Sequence, residues 1–157
     1  MDAPRWLDER EARVWQAYLA VNRELHNALE RQLVRDSGLS NADYALLAPL
    51  SEAPDGLVRS RDLGALVGWE RSRLSHQIGR MEKRGLVTRE ECPEDARGSM
   101  VRLTAAGRAA IESAAPAHVD TVRRYVFDAL TDDEVDVLDH VFHRILARVD
   151  GDGDGRP

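Results

Sequence analysis

Hydrophobic residues recur at helical spacing at both ends of the chain, and this pattern predicts a long helix at each end. The first helix opens with a capping sequence at Asp8 and keeps a three-and-four spacing of apolar residues until Gly38. The last helix opens with another capping sequence at Thr131, and its apolar residues repeat with a period near 3.5 up to Val149. Such a period favours the packing of helix against helix.

Two short helices joined by a glycine turn are predicted in the middle of the chain. Ser60 is placed to cap the first of them, and Leu63, Leu66 and Val67 give it a buried side. Gly68 begins a tight connection to the second helix. Two helices joined in this way are typical of a helix-turn-helix.

The second of these helices combines an apolar stripe with a face of hydrogen-bonding side chains. Leu74, Ile78 and Met81 fall at i, i+4 and i+7 and predict the buried side. The polar residues outside this stripe are Arg71, Ser72, Arg73, Ser75, His76, Gln77 and Arg80, with no acidic residue among them. Such side chains reach phosphates and base edges, so we predict that this helix contacts DNA in the major groove.

A two-stranded ribbon follows, with strands predicted at residues 86–89 and 99–103 and a turn at residues 93–98. Arg97 lies at the predicted tip, where an arginine is long enough to enter a narrow minor groove. Asp95 is placed to hold the Arg97 guanidinium or to shape the turn. We therefore predict a mainly α fold with a small β wing: a winged helix-turn-helix core flanked by long N- and C-terminal dimerisation helices.

The overall charge is opposite in sign to what DNA binding favours, because 28 acidic residues outnumber 22 lysines and arginines and give a net charge of −6. Residues 71–108 reverse this balance with nine basic and five acidic residues. No segment approaches the roughly 18 apolar residues of a membrane span, and no signal segment is apparent. We expect a cytoplasmic protein without a membrane partner, and the single Cys92 fits a reducing compartment.

Four segments organise the chain in this interpretation. Residues 1–38 form an N-terminal dimerisation helix, residues 39–104 a winged DNA-binding lobe, and residues 105–149 the C-terminal dimerisation helices, the first of which reaches about Leu130. Residues 150–157 form a disordered tail rich in glycine and aspartate. Terminal helices this long cannot bury their apolar stripes on so small a lobe, which predicts a homodimer. Two-fold pairing suits a pseudo-palindromic operator in double-stranded DNA, with half-sites about one helical turn apart.

Other chemistries find weaker support in the sequence. No nucleophile elbow, phosphate loop, HExxH or paired CxxC motif appears, so we expect neither enzyme activity nor a cofactor. His140 and His143 are spaced to share a metal, but a full ligand set is missing, and no metal site is predicted. A redox-gated regulator using Cys92, a metal-gated regulator using the two histidines, and a winged-helix module for protein interaction remain alternatives.

Several motifs together resemble those of the MarR-type winged-helix regulators. Residues 72–78 and 81–87 look like the recognition helix of that family and its exit. Residues 95–98 look like its D-x-R wing motif, and residues 103–107 like its LT-x-x-G entry to the next helix. The resemblance implies a homodimer with two winged lobes on DNA. Members are mostly repressors, released by a small phenolic or anionic effector.

The resemblance also places an effector pocket where the first helix meets the DNA-binding lobe. Trp15, Tyr18, Asn22 and His26 are the first-helix residues that could line such a pocket, and each could equally belong to core or interface. The sequence names neither the effector nor the operator, and it does not distinguish repression from activation.

Overall fold

The computed structural model describes residues 4–153, and the chain divides into two compact units, Met1–His118 and Val119–Pro157. The helices are α1 (Glu9–Ser37), α2 (Asn41–Glu52), α3 (Ser60–Val67), α4 (Arg71–Lys83), α5 (Ala105–Tyr125) and α6 (Asp132–Gly153). The strands are β1 (Leu57–Arg59), β2 (Val87–Cys92) and β3 (Asp95–Leu103). The unit boundary falls within α5. The structure confirms the mainly α fold with a small β wing.

Local hydrogen bonds set the ends of the first two helices, and for α1 they are those predicted. Asp8 Oδ1 accepts from Glu11 N at 2.8 Å, and Glu11 Oε2 accepts from Asp8 N at 2.9 Å, which completes a capping box at the start of α1. Ser40 and Asp43 form the same reciprocal pair at the start of α2. Gly38 ends α1.

Two expectations for α3 are wrong. Ser60 does not cap this helix but is its first residue, and its hydroxyl is hydrogen-bonded to that of Ser99 on β3 at 2.6 Å. Leu66 is 68% exposed, whereas Leu63 is fully buried and Val67 is half-buried. The helix has only eight residues and buries a narrow side.

The sheet has three antiparallel strands in the order β1-β3-β2, one more than the predicted ribbon. The wing differs as well, because β3 begins at Asp95 and the turn shrinks to two residues, Pro93 and Glu94. Cys92 pairs with Asp95 while Glu91 pairs with Ser99, so residues 96–98 bulge out of register with β2. Arg97 therefore lies in a bulge beside the turn rather than at its tip.

One apolar core fills the winged lobe. Its members come from the end of α1, the apolar sides of α2, α3 and α4, the sheet and the first half of α5. The largest fully buried apolar side chains are Leu33, Leu39, Leu46, Leu47, Leu50, Leu63, Met81, Val87 and Val101. This core fixes α4 and the wing on one scaffold.

The C-terminal helices begin as predicted but end elsewhere. Gly107 N donates to Thr104 Oγ1 at 2.9 Å at the start of α5, and Thr131 and Glu134 form the predicted cap of α6. Helix α5 ends at Tyr125, before the expected Leu130, and a 3-10 turn follows. Helix α6 continues to Gly153, so the prediction of a disordered tail is wrong for residues 150–153. A glycine destabilises an established helix by only about 1 kcal/mol, which allows α6 to extend through this segment. Residues 154–157 lie outside the described residues.

Between residues 4 and 153, no helix is both long and apolar enough to cross a membrane.

Candidate nucleic-acid interface

Helix α4 turns its predicted apolar stripe toward the lobe and its polar side chains outward. Leu74, Ile78 and Met81 are all buried. Six of the seven polar residues predicted to contact DNA are exposed: Arg71, Ser72, Arg73, Ser75, His76 and Arg80. No side chain among the described residues caps the N-terminus of α4, so its first N–H groups remain available beside these side chains.

Gln77 does not belong to this exposed face, so its predicted exposure beside the other polar residues is wrong. Its side chain is 9% exposed, and its Nε2 donates to Asp43 Oδ1 at 2.8 Å. Gln77 follows Leu74 by three residues and precedes Ile78 by one, so it lies on the flank of the apolar stripe. The carboxylate that holds it there comes from α2.

Two arginines, one on the polar face of α4 and one on β2, are held in place by neighbouring groups. The Arg73 guanidinium lies over the Trp69 ring at 4.2 Å, which orients its charge near the start of α4. Arg89 on β2 reaches across to α4, where its Nη2 donates to the Ser75 carbonyl oxygen at 2.6 Å. Arg89 was not predicted as a site residue, and the signal that the sequence offered for it was a basic side chain on a predicted wing strand.

The wing carries a second unpredicted arginine. Arg59 on β1 pairs with Asp95 at 3.1 Å, while the other oxygen of Asp95 accepts from the backbone N of Arg97 at 3.0 Å. Asp95 thus shapes the turn as predicted, but the guanidinium that it holds is that of Arg59 and not that of Arg97. The Arg97 side chain is exposed.

On the strands themselves, Arg102 is engaged by a carboxylate. It donates to both oxygens of Glu90, and this hydrogen bonding holds the pKa of the Glu90 carboxyl below its usual value. The same bonds raise the pKa of Arg102. Arg102 is therefore paired with Glu90 on the neighbouring strand.

Helices α3 and α4 and the wing border a groove of about 710 Å³. Five arginines line it: Arg59, Arg61, Arg71, Arg89 and Arg97. Two carboxylates, Glu70 and Asp95, share the lining, and Asp95 is already paired with Arg59. Arginine concentrated in one concave surface attracts a phosphate backbone even when the whole chain is acidic.

Solved structures of transcriptional regulators resemble most of the chain. Sco3205 from Streptomyces coelicolor, solved in complex with DNA, is 42% identical, with a TM-score of 0.88 over 94% of this chain and 91% of its own. AbsC from the same organism is 38% identical, with a TM-score of 0.90 over 94% and 99%. CouR from Rhodococcus jostii RHA1, solved with p-coumaroyl-CoA, is 26% identical, with a TM-score of 0.73 over 84% and 90%.

A model of the MarR family matches residues 37–98. The chain belongs to the MarR family of transcriptional regulators. A search of curated proteins gives no match. The segment matched by the MarR family model runs from the end of α1 through the bulge of the wing, and it therefore contains α4 and the five arginines that line the groove.

The residues suggested for an effector pocket lie along the exposed side of α1. Trp15 and Tyr18 form a stacked pair with ring centroids 5.4 Å apart, and each is about half exposed. Asn22 is exposed one turn further on. His26 is joined to α2, since Asn41 Nδ2 donates to the His26 carbonyl oxygen at 2.9 Å.

A second aromatic pair, not predicted from the sequence, lies where α1, α2 and α5 meet. The His118 ring lies against Tyr44 with centroids 4.1 Å apart, and its Nδ1 is 3.3 Å from Gln32 Oε1. Partial burial lowers the pKa of His118. Burial also raises the pKa of Tyr44, and the charge of Glu52 adds to this effect.

The structure shows the surroundings of His143 and Cys92, on which the metal and redox alternatives depend. His143 on α6 is paired with Asp139 at 3.2 Å, and the described residues contain no group of three or more His, Cys, Asp or Glu side chains able to hold a metal ion. Cys92 is buried beside the wing turn. A buried thiol has little access to an oxidant in solution.

Proposed function

We propose that the protein is a homodimeric, sequence-specific DNA-binding regulator that represses transcription until a small aromatic or anionic effector releases it. The observation that carries the DNA-binding role is the arginine-lined groove beside the exposed polar face of α4. The DNA complex of Sco3205, at 42% identity, supports the same role for this chain.

In this proposal α4 enters the major groove and the wing contacts the adjacent minor groove. Ser72, Ser75 and His76 are short polar groups on the exposed face and are assigned to base edges. Arg71, Arg73 and Arg80 contact phosphates or bases. Arg97 reaches the minor groove, and Asp95 holds the wing turn behind it.

The apolar side chains left exposed on the terminal helices support a dimer. On α1, Val14, Leu19 and Val21 are between 41% and 65% exposed. On α6, Val137, Phe142, Ile145, Leu146 and Val149 are between 50% and 63% exposed. Large apolar stripes of this kind mark interaction surfaces, and a second copy of the chain supplies matching stripes. We propose residues 1–38 and 105–149 as the dimerisation segments around the lobe of residues 39–104.

The effector is proposed to bind beside α1, at Trp15, Tyr18, Asn22 and His26. The exposed Trp15–Tyr18 stack offers an aromatic surface to a phenol or aromatic carboxylate. The complex of CouR with p-coumaroyl-CoA supports an aromatic acid derivative as the ligand class.

A gel shift with the DNA upstream of the protein's own gene tests the DNA-binding role. We expect a complex that survives excess non-specific competitor and weakens steeply with salt, because phosphate contacts release counterions. Failure to bind any duplex at low salt would refute it.

Sedimentation tests the assembly. We expect twice the chain mass of 17.6 kDa, and deletion of residues 131–157 should yield a monomer or insoluble chain. A stable, DNA-binding monomer from that deletion would reject the dimer.

A further inference from the structure

A buried carboxylate lies behind the recognition helix. We propose that Asp43 is a positioning residue for DNA reading: through Gln77 and Arg84 it fixes the place of α4 on the lobe. This inference rests on the proposed DNA-binding function and adds a residue that does not itself touch DNA.

Asp43 is 1% exposed, and both of its oxygens accept hydrogen bonds. Oδ1 accepts from Gln77 Nε2 at 2.8 Å. Oδ2 accepts from Arg84 Nη1 at 2.7 Å and from the backbone N of Ser40 at 2.9 Å. A buried charge is tolerated only when it is paired and hydrogen-bonded. Loss of any of these partners would leave the Asp43 carboxylate without compensation, which opposes movement of the groups that carry them.

Arg84 extends the attachment to a third helix. Its Nη2 donates to the Gly38 carbonyl oxygen at 3.1 Å, at the end of α1, while its Nη1 holds Asp43 at the start of α2. Gln77 lies within α4, and Arg84 directly follows its last residue, Lys83, about two helical turns or roughly 10 Å further along the axis. Attachment at two points on one side of α4 opposes both sliding and rotation of the helix.

Rotation and sliding matter for base recognition much more than for phosphate attraction. Hydrogen bonds from Ser72, Ser75 and His76 to base edges depend on distance and angle, and a shift below 1 Å weakens them. Long-range attraction between the arginines and phosphates depends little on such a shift. Loss of the Asp43 network should therefore lower sequence preference while leaving binding to arbitrary DNA nearly unchanged.

The experiment compares two duplexes, one selected by the wild-type protein from a random pool and one scrambled version of it. Asp43→Asn keeps the size of the side chain but removes the charge that binds Arg84, and only one of its two terminal atoms is an acceptor. Its amide N–H groups would then face the Arg84 guanidinium as donors, or face Gln77 only after the Gln77 amide turns over. We expect a drop of about tenfold in the ratio of selected to scrambled affinity, comparable to one mismatched base pair. Affinity for the scrambled duplex should change less than about twofold.

Two further variants keep the test informative if Asp43→Asn folds poorly. Gln77→Met keeps the length and burial of the side chain but removes the bond to Asp43, and it should lower the same ratio. Arg84→Lys keeps the charge but lacks the guanidinium fork that reaches Asp43 and Gly38 together, and it should also lower the ratio. Ile111→Val, at a buried position of α5, is the control for stability: it should lower the melting temperature with an unchanged ratio.

The outcomes separate this inference from the function on which it rests. An unchanged ratio in folded Asp43→Asn and Arg84→Lys, with a wild type that prefers the selected duplex, overturns the positioning role alone. Loss of preference only in Gln77→Met would mean that Gln77 reads DNA directly, which also overturns it. A wild-type protein that selects no sequence from the pool overturns sequence-specific binding and the positioning role with it.

Discussion

The arginines of the wing differ in what holds them. Arg59 is paired with Asp95, and Arg102 is bound to both oxygens of Glu90. Arg97 extends from the bulge with an exposed side chain. An arginine already paired within the protein must give up or share that partner to reach a phosphate, so Arg97 is the wing residue best placed for direct contact.

Arg97→Ala should weaken operator binding by about 1–3 kcal/mol and leave the free energy of unfolding nearly unchanged, because the exposed side chain buries little. If the contact is mainly to phosphate, the slope of affinity against salt should fall by about one unit. Titrations at matched salt measure both effects. Arg148→Ala, which removes the same charge from α6, is the control. Equal affinity for wild type and Arg97→Ala would contradict the contact.

His118 gives the fold a dependence on pH whose sign follows from its surroundings. Burial holds its pKa below the ordinary value of 6.5, so the folded protein favours the neutral ring. Below about pH 6.5 the unfolded chain takes up a proton first, and the free energy of unfolding falls until the folded pKa is also passed. Urea unfolding at about pH 7.5 and 5.5 should show a loss on acidification that is smaller in His118→Gln. Parallel pH profiles for the two proteins would exclude this contribution.

At the scale of elements, the packing of α5 on the sheet depends on one glycine. A Cβ atom on Gly107 would lie 2.0 Å from the Leu86 carbonyl oxygen and 3.0 Å from its carbonyl carbon. These are backbone atoms that cannot rotate away, so a side chain at this position forces the helix off the strand. This close approach explains physically why a glycine follows Leu103-Thr104 in the motif.

Gly107→Ala should therefore lower the free energy of unfolding by about 1–3 kcal/mol. Gly79→Ala is the matched control inside α4, because its Cβ would meet only the far end of the Arg89 side chain at 3.6 Å. That change should stabilise the fold by about 0.5–1 kcal/mol, since alanine favours the helix. Urea midpoints measure both changes in stability, and an unchanged midpoint for Gly107→Ala would contradict the close packing.

A loss of DNA binding in the stable Gly79→Ala would indicate that the helix backbone approaches DNA there.

Local signals explain which elements could be predicted from the sequence. A helix cap involves residues three apart, so the starts of α1 and α6 could be inferred from their own residues. Strand β1 has only three residues and is defined by its pairing with β3 more than 40 positions away, which leaves no local pattern. The three-residue bulge of the wing likewise depends on how β3 aligns with β2.

The error at Gln77 has the same origin. Its position on the helix gave equal reason to place it on the polar face or on the flank of the core. The deciding group, Asp43, lies 34 residues earlier, and no local pattern connects it to Gln77. Long-range polar contacts with Asp43, Arg59 and Arg89 account for most of what the sequence did not reveal about the site.

At the scale of the whole molecule, the chain combines an acidic overall charge with an arginine-rich surface. The net charge of −6 opposes indiscriminate attachment to DNA, while the arginine-lined groove attracts phosphate locally. A dimer doubles that surface and adds a geometric requirement, because both lobes must fit half-sites about one helical turn apart. In the proposed dimer, a ligand that alters this spacing should change the affinity for DNA.

The coupling between effector and DNA can be measured through Trp15. A ligand that prefers the DNA-incompetent spacing by about 3 kcal/mol weakens operator affinity more than a hundredfold, within the usual range of allosteric coupling. We expect a phenol or aromatic carboxylate, for example p-coumarate, to quench the fluorescence of the exposed Trp15–Tyr18 pair and to release DNA over the same concentration range. Trp6 and Trp69 also emit, so the titration is repeated with Trp15→Phe, which should lose most of the signal.

Since coupling of binding free energies is reciprocal, operator DNA should weaken ligand binding by the same factor. Quenching without DNA release across a broad panel of such acids and phenols would show that these ligands do not control this regulator.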